Sequence, residues 1–228
     1  MLRRCFLLIT LAYWLLSSTP VRAQTTAPGP VPGEPLFTRH VVPLLSRLGC
    51  NAGACHGAVQ GKGGLRLSLF GVDPQADHER LVREFGGRRL NVHKPDSSLL
   101  LLKPTGRSAH EGGLRLQANS RDYQLLRNWI AHGAVLDRSP RLTGLKVMPL
   151  THSAKLGETY QLRVEAAFAD GAVEDVTGLC VFESRDPAVA EVDREGRVRV
   201  MGPGDVALVV RYGAEPVVAM LLVRGQST

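Results

Sequence analysis

The apolar positions of the chain change their spacing near residue 140. Over residues 36–138 they recur mostly at the helical period, most clearly between Tyr123 and Ile130. Over residues 142–225 they alternate with polar positions, which is the period of half-buried strands. The pattern therefore predicts two domains, a mainly α domain over 36–138 and an all-β domain over 142–225.

Caps and helix breakers locate the elements of the first domain. Ser120 is predicted to cap the last helix, and Gly133 lies where that helix would end. Another helix is predicted over about residues 75–85, and a short one from Asp96, its cap, to just before Pro104. A short strand is predicted where leucines alternate with polar residues, at Leu65, Leu67 and Leu69.

Turn residues separate about seven short strands in the second domain. The dipeptides with turn chemistry are Asp170-Gly171, Glu195-Gly196 and Pro203-Gly204. Strands at this spacing predict an immunoglobulin-like sandwich. Cys180 has no second cysteine within the domain, so we interpret it as a buried free thiol. The break around Pro140 predicts few contacts between the domains, and hence a sandwich that folds alone.

Residues 1–23 have the features of a secretory signal peptide. Arg3 and Arg4 precede an apolar run of eleven residues, Phe6 to Leu16, and Ala23 is a small residue suited to cleavage. As a helix rising about 1.5 Å per residue, this run is too short to span a bilayer. A cleaved signal is therefore favoured over an uncleaved anchor. We expect cleavage after Ala23, no later transmembrane segment, and export to the periplasm or the cell surface.

Composition and charge narrow the classes of function. Residues 24–35 contain four prolines and two glycines and are predicted to form a linker. The whole chain has a formal net charge of +7, but three arginines lie in the predicted signal peptide, which leaves 25 basic and 21 acidic side chains. So small an excess does not predict nucleic-acid binding, and the pair Arg88-Arg89 is interpreted as solvated. The sequence contains no nucleophile elbow and no His-Glu-x-x-His helix, so no catalytic site is predicted.

Residues with metal and redox chemistry concentrate between Cys50 and Gly57. A c-type haem requires two thiols for its two vinyl groups and a histidine directly after the second thiol as the proximal iron ligand. Here four residues instead of the usual two separate Cys50 from Cys55, and Gly53 lets the longer loop bulge. The motif therefore makes Cys50, Cys55 and His56 candidates for binding a covalent haem c.

Two other chemistries fit the same residues. Cys50 and Cys55 are close enough in sequence to form a disulfide in an oxidising compartment, and His56 would then be an ordinary surface histidine. On spacing alone the disulfide is favoured over the haem. A zinc site is the weaker alternative, because these side chains supply three ligands and the sequence contains no second paired cluster.

Longer segments carry two family resemblances. In the first domain the segments are Phe37 to Gly57, Gly63 to Gly71, Pro95 to Leu100 and Leu126 to Ala134. Together they resemble the cytochrome c-like domains of planctomycete surface proteins. In the second domain the segments are Gly157-Glu158, Phe168 to Gly171, Asp175 to Thr177, Ser184 to Asp193, Gly196 to Val198 and Pro203-Gly204. These resemble bacterial group 2 immunoglobulin-like domains, and the two resemblances cover about residues 36–225.

The first resemblance implies a mainly α cytochrome c-like fold, a covalent haem c and a sixth ligand to its iron. Related domains often carry Met-Pro before the final helix, and here that place holds His110, while the first domain has no methionine after the signal peptide. His56 and His110 are therefore the candidate iron ligands. His93 and His132 are poorer candidates. The alternative, that His110 is a solvated loop histidine, stays open.

Two functional hypotheses follow. The first is an exported haem-binding or electron-transfer module, with a redox partner protein, fused to an immunoglobulin-like adhesion or interaction domain. The second is a non-catalytic structural or adhesive surface protein with a Cys50–Cys55 disulfide and no haem, whose domains contact surface proteins or carbohydrate. Neither includes a nucleic-acid partner.

Overall fold

The computed structural model describes residues 33–138 and 141–224. The predicted signal peptide, most of the predicted linker, Ser139, Pro140 and residues 225–228 lie outside the described residues. Within the two described ranges, no helix is long and apolar enough to cross a membrane.

Four α-helices lie in the first described range. They are α1 (Val42–Arg47), α2 (Pro74–Val82), α3 (Leu99–Leu102) and α4 (Arg121–Ala131). A π-helical turn, Phe37–Val41, leads directly into α1, and short 3-10 helices lie at Leu69–Gly71, Glu84–Gly87 and Pro95–Ser97. These elements pack around Trp129, Tyr123 and Phe37, which are among the largest fully buried side chains.

The prediction of a mainly α, cytochrome c-like first domain is wrong. Over the described residues of both domains strand exceeds helix, 29% against 25%, and the longest helix among them, α4, has only 11 residues. Glycines with positive φ break the regular structure throughout this part of the chain: Gly49, Gly61, Gly63, Gly64, Gly71, Gly86, Gly87, Gly106 and Gly113. The predicted strand at Leu65 is reduced to an isolated bridge to Lys62. The first domain is therefore a set of short helices joined by tight turns.

Two of the predicted helix ends have different outcomes. The Ser120 hydroxyl accepts a hydrogen bond from the Tyr123 backbone N–H, which confirms its role as the cap of α4. Asp96 does not cap a helix. Its carboxylate accepts hydrogen bonds from the Tyr123 hydroxyl and from Arg127 instead, and α3 begins only after Ser98. The Asp96 side chain therefore makes tertiary contacts in place of the helix cap that the local pattern predicts.

Ten strands form the second domain. They are β1 (Leu142–Met148), β2 (Thr151–Ala154), β3 (Thr159–Gln161), β4 (Arg163–Phe168), β5 (Val173–Asp175), β6 (Cys180–Ser184), β7 (Ala190–Val192), β8 (Arg197–Val200), β9 (Gly204–Tyr212) and β10 (Glu215–Val223). They form three sheets in the orders β1–β4–β5, β2–β10–β9–β6 and β3–β8–β7. Only the β2–β10 pair is parallel among the described ladders. The predicted immunoglobulin-like β-sandwich is confirmed.

The alternating apolar positions build the sandwich core. On β4, Val164, Ala166 and Phe168 are buried, and on β9 Val206, Leu208 and Val210 are buried. Leu162 separates β3 from β4, and its N–H donates to the Gly196 carbonyl. The chain passes from one sheet to another at this residue. Cys180 is buried as predicted, and its S–H donates to the Val176 carbonyl at 3.3 Å.

The two domains share an extensive polar contact, contrary to the prediction of a sparse junction. Arg39, which is 5% exposed, donates to Asp170 at 2.6 Å and to Glu174 at 2.9 Å. Its guanidinium lies 3.9 Å from the centre of the Phe168 ring, and its carbonyl accepts a hydrogen bond from the Tyr212 hydroxyl. The hydrophobic pattern of the sequence changes near residue 140, but the two domains pack against each other.

Candidate functional site

The segment from Cys50 to Gly57 folds as a closed turn directly after α1. The Cys50 N–H donates to the Leu45 carbonyl at 2.8 Å, and the Cys50 carbonyl accepts from the His56 N–H at 3.0 Å. A Cβ on Gly57 would lie 2.1 Å from the Asn51 carbonyl oxygen, so the turn closes only with glycine at this position. The backbone therefore returns upon itself and brings both ends of the motif together.

Backbone carbonyls fix the tautomer of His56. Its Nδ1 lies 3.1 Å from the carbonyl oxygens of both Lys62 and Leu65. Because a carbonyl only accepts, Nδ1 carries the proton in the neutral ring. Nε2 then has a free lone pair, and within the described residues it makes no hydrogen bond. This is the state in which an imidazole binds a metal, with its other nitrogen held by a backbone carbonyl.

His110 lies opposite His56, and its Nδ1 is likewise bound to a backbone carbonyl. Its Nδ1 donates to the Gly113 carbonyl at 2.9 Å, which leaves its Nε2 as the unprotonated nitrogen of the neutral ring. The centres of the His56 and His110 rings are 6.4 Å apart, and the ring planes are inclined by 17°. The structure thus brings together two histidines that are 54 positions apart in the sequence.

The other candidate histidines are not part of this pair. The Nδ1 atom of His132 donates to the Asn128 carbonyl one turn back on α4. His93 is exposed in the loop before the 3-10 helix Pro95–Ser97, and its backbone N–H donates to Asn91. Among the described residues of the first domain, only the ring of His110 lies against His56.

The two cysteines of the motif are free thiols with partial exposure. Burial of its sulfur, with a smaller contribution from the nearby Cys55 charge, raises the pKa of Cys50 to about 12. Cys50 is therefore protonated at neutral pH and is a poor nucleophile there. Burial also raises the pKa of Cys180, in the sandwich, and makes that thiol unreactive.

Burial lowers the pKa of His56 below its usual value. The charges of His110 and Arg89 act in the same direction, and the hydrogen bonds to Leu65 and Lys62 oppose it. His56 is consequently neutral at pH 7, as a metal ligand must be.

Arg89 was interpreted from the sequence as solvated, and this was wrong. It is buried, and its guanidinium donates to the carbonyl oxygens of Gly64 and Arg80. It thereby ties the glycine-rich turn beside His56 to α2. An arginine pair in the sequence gives no indication of which member turns inward, so this role was missed.

Exposed apolar side chains lie beside the turns that carry the histidine pair. Leu69, 44% exposed, lies 3.9 Å from the position of a Cβ on Gly53, within the cysteine turn. Phe85, 63% exposed, lies at the same distance from a Cβ on Gly64. Leu114, 65% exposed, directly follows the residue whose carbonyl binds His110. Exposed apolar groups collected around one polar centre are typical of a ligand site.

A further cavity extends from the cysteine turn towards α2. It has a volume of about 330 Å³ and begins at Gly57, next to His56. Its apolar wall consists of Val59, Leu67, Leu69 and Val72, and Arg66, Asp73 and Arg80 lie at its polar rim. The cavity therefore shares Leu69 with the exposed apolar side chains beside the cysteine turn.

The geometry separates the predicted chemistries. Among the described residues, no three His, Cys, Asp or Glu side chains converge as ligands of one metal ion, so they do not form the zinc site that was the weaker alternative. In a c-type haem site the thiols bond to the edge of the ring, and only the histidines reach the iron. Two facing histidines with two thiols nearby are compatible with this arrangement of a c-type haem site.

Comparison with known proteins gives partial similarities. No family model matches the chain. Over 84 residues the chain is 33% identical to an S-layer-related protein of Niallia circulans, a match that covers 37% of this chain and 5% of that protein. The chain therefore corresponds to a small part of the length of this relative.

Three solved structures show similarity to part of the chain. Domains 4 and 5 of the S-layer protein SbsC match at 15% identity, over 40% of this chain and 56% of that one, with a TM-score of 0.32. Domains 1–6 of SbsC match at 17% identity, over 41% and 14%, with a TM-score of 0.34. A mutant intimin of EHEC O157:H7 matches at 18% identity, over 35% and 46%, with a TM-score of 0.27.

Proposed function

We propose that the chain is part of an exported, non-catalytic protein of the cell surface. The observation that carries this proposal is the 33% identity to an S-layer-related protein. The immunoglobulin-like sandwich and the predicted signal peptide are consistent with it. In this role the sandwich contacts a surface protein or a carbohydrate, and the first domain is fixed to it through Arg39.

Surface exposure is tested on whole cells that produce the full chain with a C-terminal tag. The expected result is a mature N-terminus at Gln24, together with digestion of the tagged protein by protease added to intact cells. The matched control replaces Arg3 and Arg4 by glutamate, which removes the basic start of the signal peptide and should leave the protein inside. A wild-type protein that keeps residues 1–23 and resists the external protease contradicts the proposal.

A second candidate function, haem binding, is supported by the His56–His110 pair. Two imidazoles on opposite sides of one metal, with metal–nitrogen bonds of about 2.0 Å, have ring centres roughly 6 Å apart. The observed separation is 6.4 Å. We infer that His56 and His110 would hold the iron of a haem and that Cys50 and Cys55 would be its attachment thiols.

The surroundings of the pair suit a haem in two further respects. Leu69, Phe85 and Leu114, beside the turns that carry the two histidines, are exposed and apolar, as the faces of the porphyrin are. Both histidines have Nε2 as the free nitrogen when neutral, so neither needs to lose a proton to bind iron. When bound, the group would supply one-electron chemistry, and the two imidazoles would set its potential.

Haem binding is tested on the full chain exported from cells that attach c-type haem. The expected result is a low-spin spectrum and a haem that stays on the chain after denaturation. His110→Ala should turn the iron from low spin towards high spin, whereas the matched variant His93→Ala should not. Cys55→Ala should make the haem extractable by acidic solvent. An unchanged low-spin spectrum in His110→Ala would remove this ligand assignment.

A further inference from the structure

Arg115 lies between the loop that carries His110 and the start of the cysteine motif. Its Nε donates to the Gly112 carbonyl at 2.8 Å, two residues after His110. Its Nη1 lies 3.9 Å from the position of a Cβ on Gly49, directly before Cys50. One guanidinium therefore reaches both the loop that holds the second histidine and the start of the cysteine motif.

The charge of Arg115 has no carboxylate partner among the described residues. No carboxylate of the described residues lies within 4.0 Å of its guanidinium, and its two Nη groups make no hydrogen bond there. Arg47, a neighbouring arginine along the same cleft, is instead bound to Asp122 at 2.6 Å. The Arg115 backbone is fixed, because its N–H donates to the Pro104 carbonyl at 2.9 Å. A positioned, exposed guanidinium with free donors is suited to a carboxylate from outside the chain.

Arg89, the other arginine near the site, already binds groups of the protein. Arg89 directs its guanidinium at the carbonyl oxygens of Gly64 and Arg80 and lies 3.5 Å from Glu84. It has few donors left for a ligand. Arg115 is therefore the better placed of the two arginines for binding an anion beside His56 and His110.

We propose that Arg115 binds a propionate carboxylate of a haem held between His56 and His110. The proposal rests on the haem-binding function above and names the group that orients the ring. A porphyrin is apolar except for its metal and its two carboxylates. One ion pair with Arg115, combined with His56 and His110, would therefore determine how the ring is turned in the site.

The test compares two forms of the group, ferric protoporphyrin IX and its dimethyl ester, which has no carboxylates. Both are titrated into the reduced full-length mature chain, and binding is followed by the Soret band. Arg115→Gln should weaken binding of the acid form about fivefold, the upper range for an exposed ion pair, and should leave binding of the ester unchanged. The control Arg185→Gln, on an exposed arginine of the sandwich that is paired with Glu183, should change neither.

The outcomes are distinguishable. Equal losses for acid and ester in Arg115→Gln, or no loss for either, overturn the role of Arg115 while His56 and His110 remain ligands of the iron. If His56→Ala and His110→Ala bind both forms as tightly as the wild type does, the haem site itself is wrong and this inference fails with it. Circular dichroism of Arg115→Gln must match the wild type, and Arg115→Lys should recover part of the preference for the acid form, since it restores the charge.

Discussion

At the scale of single residues, Gly112 sets the space around the His110 ring. A Cβ at this position would lie 2.8 Å from Cε1 and 3.0 Å from Nε2 of His110, and the backbone here does not require a positive φ. Gly112→Ala should therefore displace the imidazole without straining the backbone. NMR of the ring protons should show a changed His110 environment, and any haem bound to the chain should lose its low-spin spectrum.

Gly113→Ala is the matched control for this substitution. Gly113 has φ +71°, but nothing lies within 4 Å of its Cβ position. Alanine there should cost about 1 kcal/mol in backbone strain and leave the ring in place. If Gly113→Ala moves His110 and Gly112→Ala does not, the direct contact with Gly112 is not what positions the ring.

In the chain without haem, His56 should titrate below pH 6.5, because burial is the largest of the causes that lower its pKa. Between the lowered pKa and 6.5 the unfolded chain binds more protons than the folded one, so stability rises with pH in this window. The contribution is complete above pH 6.5 and is lost as the pH falls through the folded pKa. An NMR titration of the ring gives the pKa, and His56→Gln should flatten this part of the pH–stability curve. A midpoint at or above 6.5 contradicts the assigned environment.

The sequence names candidate site residues but does not show what surrounds them. Cys50, Cys55 and His56 follow from a local motif, and His110 follows from a family resemblance. The inward turn of Arg89 and the free guanidinium of Arg115 were not predictable, because both depend on which distant carbonyl or carboxylate the fold brings near. Asp96 shows the same limit, since it pairs with Tyr123 and not with its own helix.

At the scale of elements, β4 provides the clearest test of the sandwich. Phe168 is 5% exposed at the end of this strand and packs under the Arg39 guanidinium. Phe168→Ala should lower the free energy of unfolding by about 3–5 kcal/mol, because it leaves a cavity between the sheet and the first domain. Denaturant unfolding measures this loss. Val218→Ala, on the exposed face of β10, should change stability by less than about 0.5 kcal/mol, and equal effects of the two would refute the core assignment.

Regular elements were predicted where one period continued for several turns or strands. Helix α4 and strand β9 each keep a single period, and both lie where the sequence places them. The stretch between α1 and α2 contains mainly glycines, leucines and small residues, and its conformation is determined by turns with positive φ. The cytochrome-like expectation failed there, since short apolar runs bounded by glycine do not distinguish a helix from a closed turn.

At the scale of the whole molecule, Arg39 joins the two domains. Arg39→Ala should remove two charge-assisted hydrogen bonds, which leaves Asp170 without its ion-pair partner and Glu174 with His40 alone, and should therefore lower the free energy of unfolding. The described residues of both domains also contribute to one continuous hydrophobic core. We therefore expect one cooperative unfolding transition in the full chain and a lower, broader or divided one in Arg39→Ala.

The excised sandwich gives the complementary measurement. A fragment of residues 141–228 loses Arg39 as the partner of Asp170, Glu174 and the Tyr212 hydroxyl. It should therefore unfold at a lower denaturant concentration than the full chain. An equally stable fragment would restore the prediction of two independently folding domains and contradict the role of the junction seen in the structure.

The intact mass of the mature protein, purified without reductant from cells that attach c-type haem, tests the site most directly. If His56, His110, Cys50 and Cys55 form a haem site, the mass is that of the chain from Gln24 plus one haem, and it survives denaturation. A mass two hydrogens below that of the bare chain, with peptide mapping to a Cys50–Cys55 link and no Soret band, contradicts it. That result would leave only the first proposal, a surface protein, with a Cys50–Cys55 disulfide.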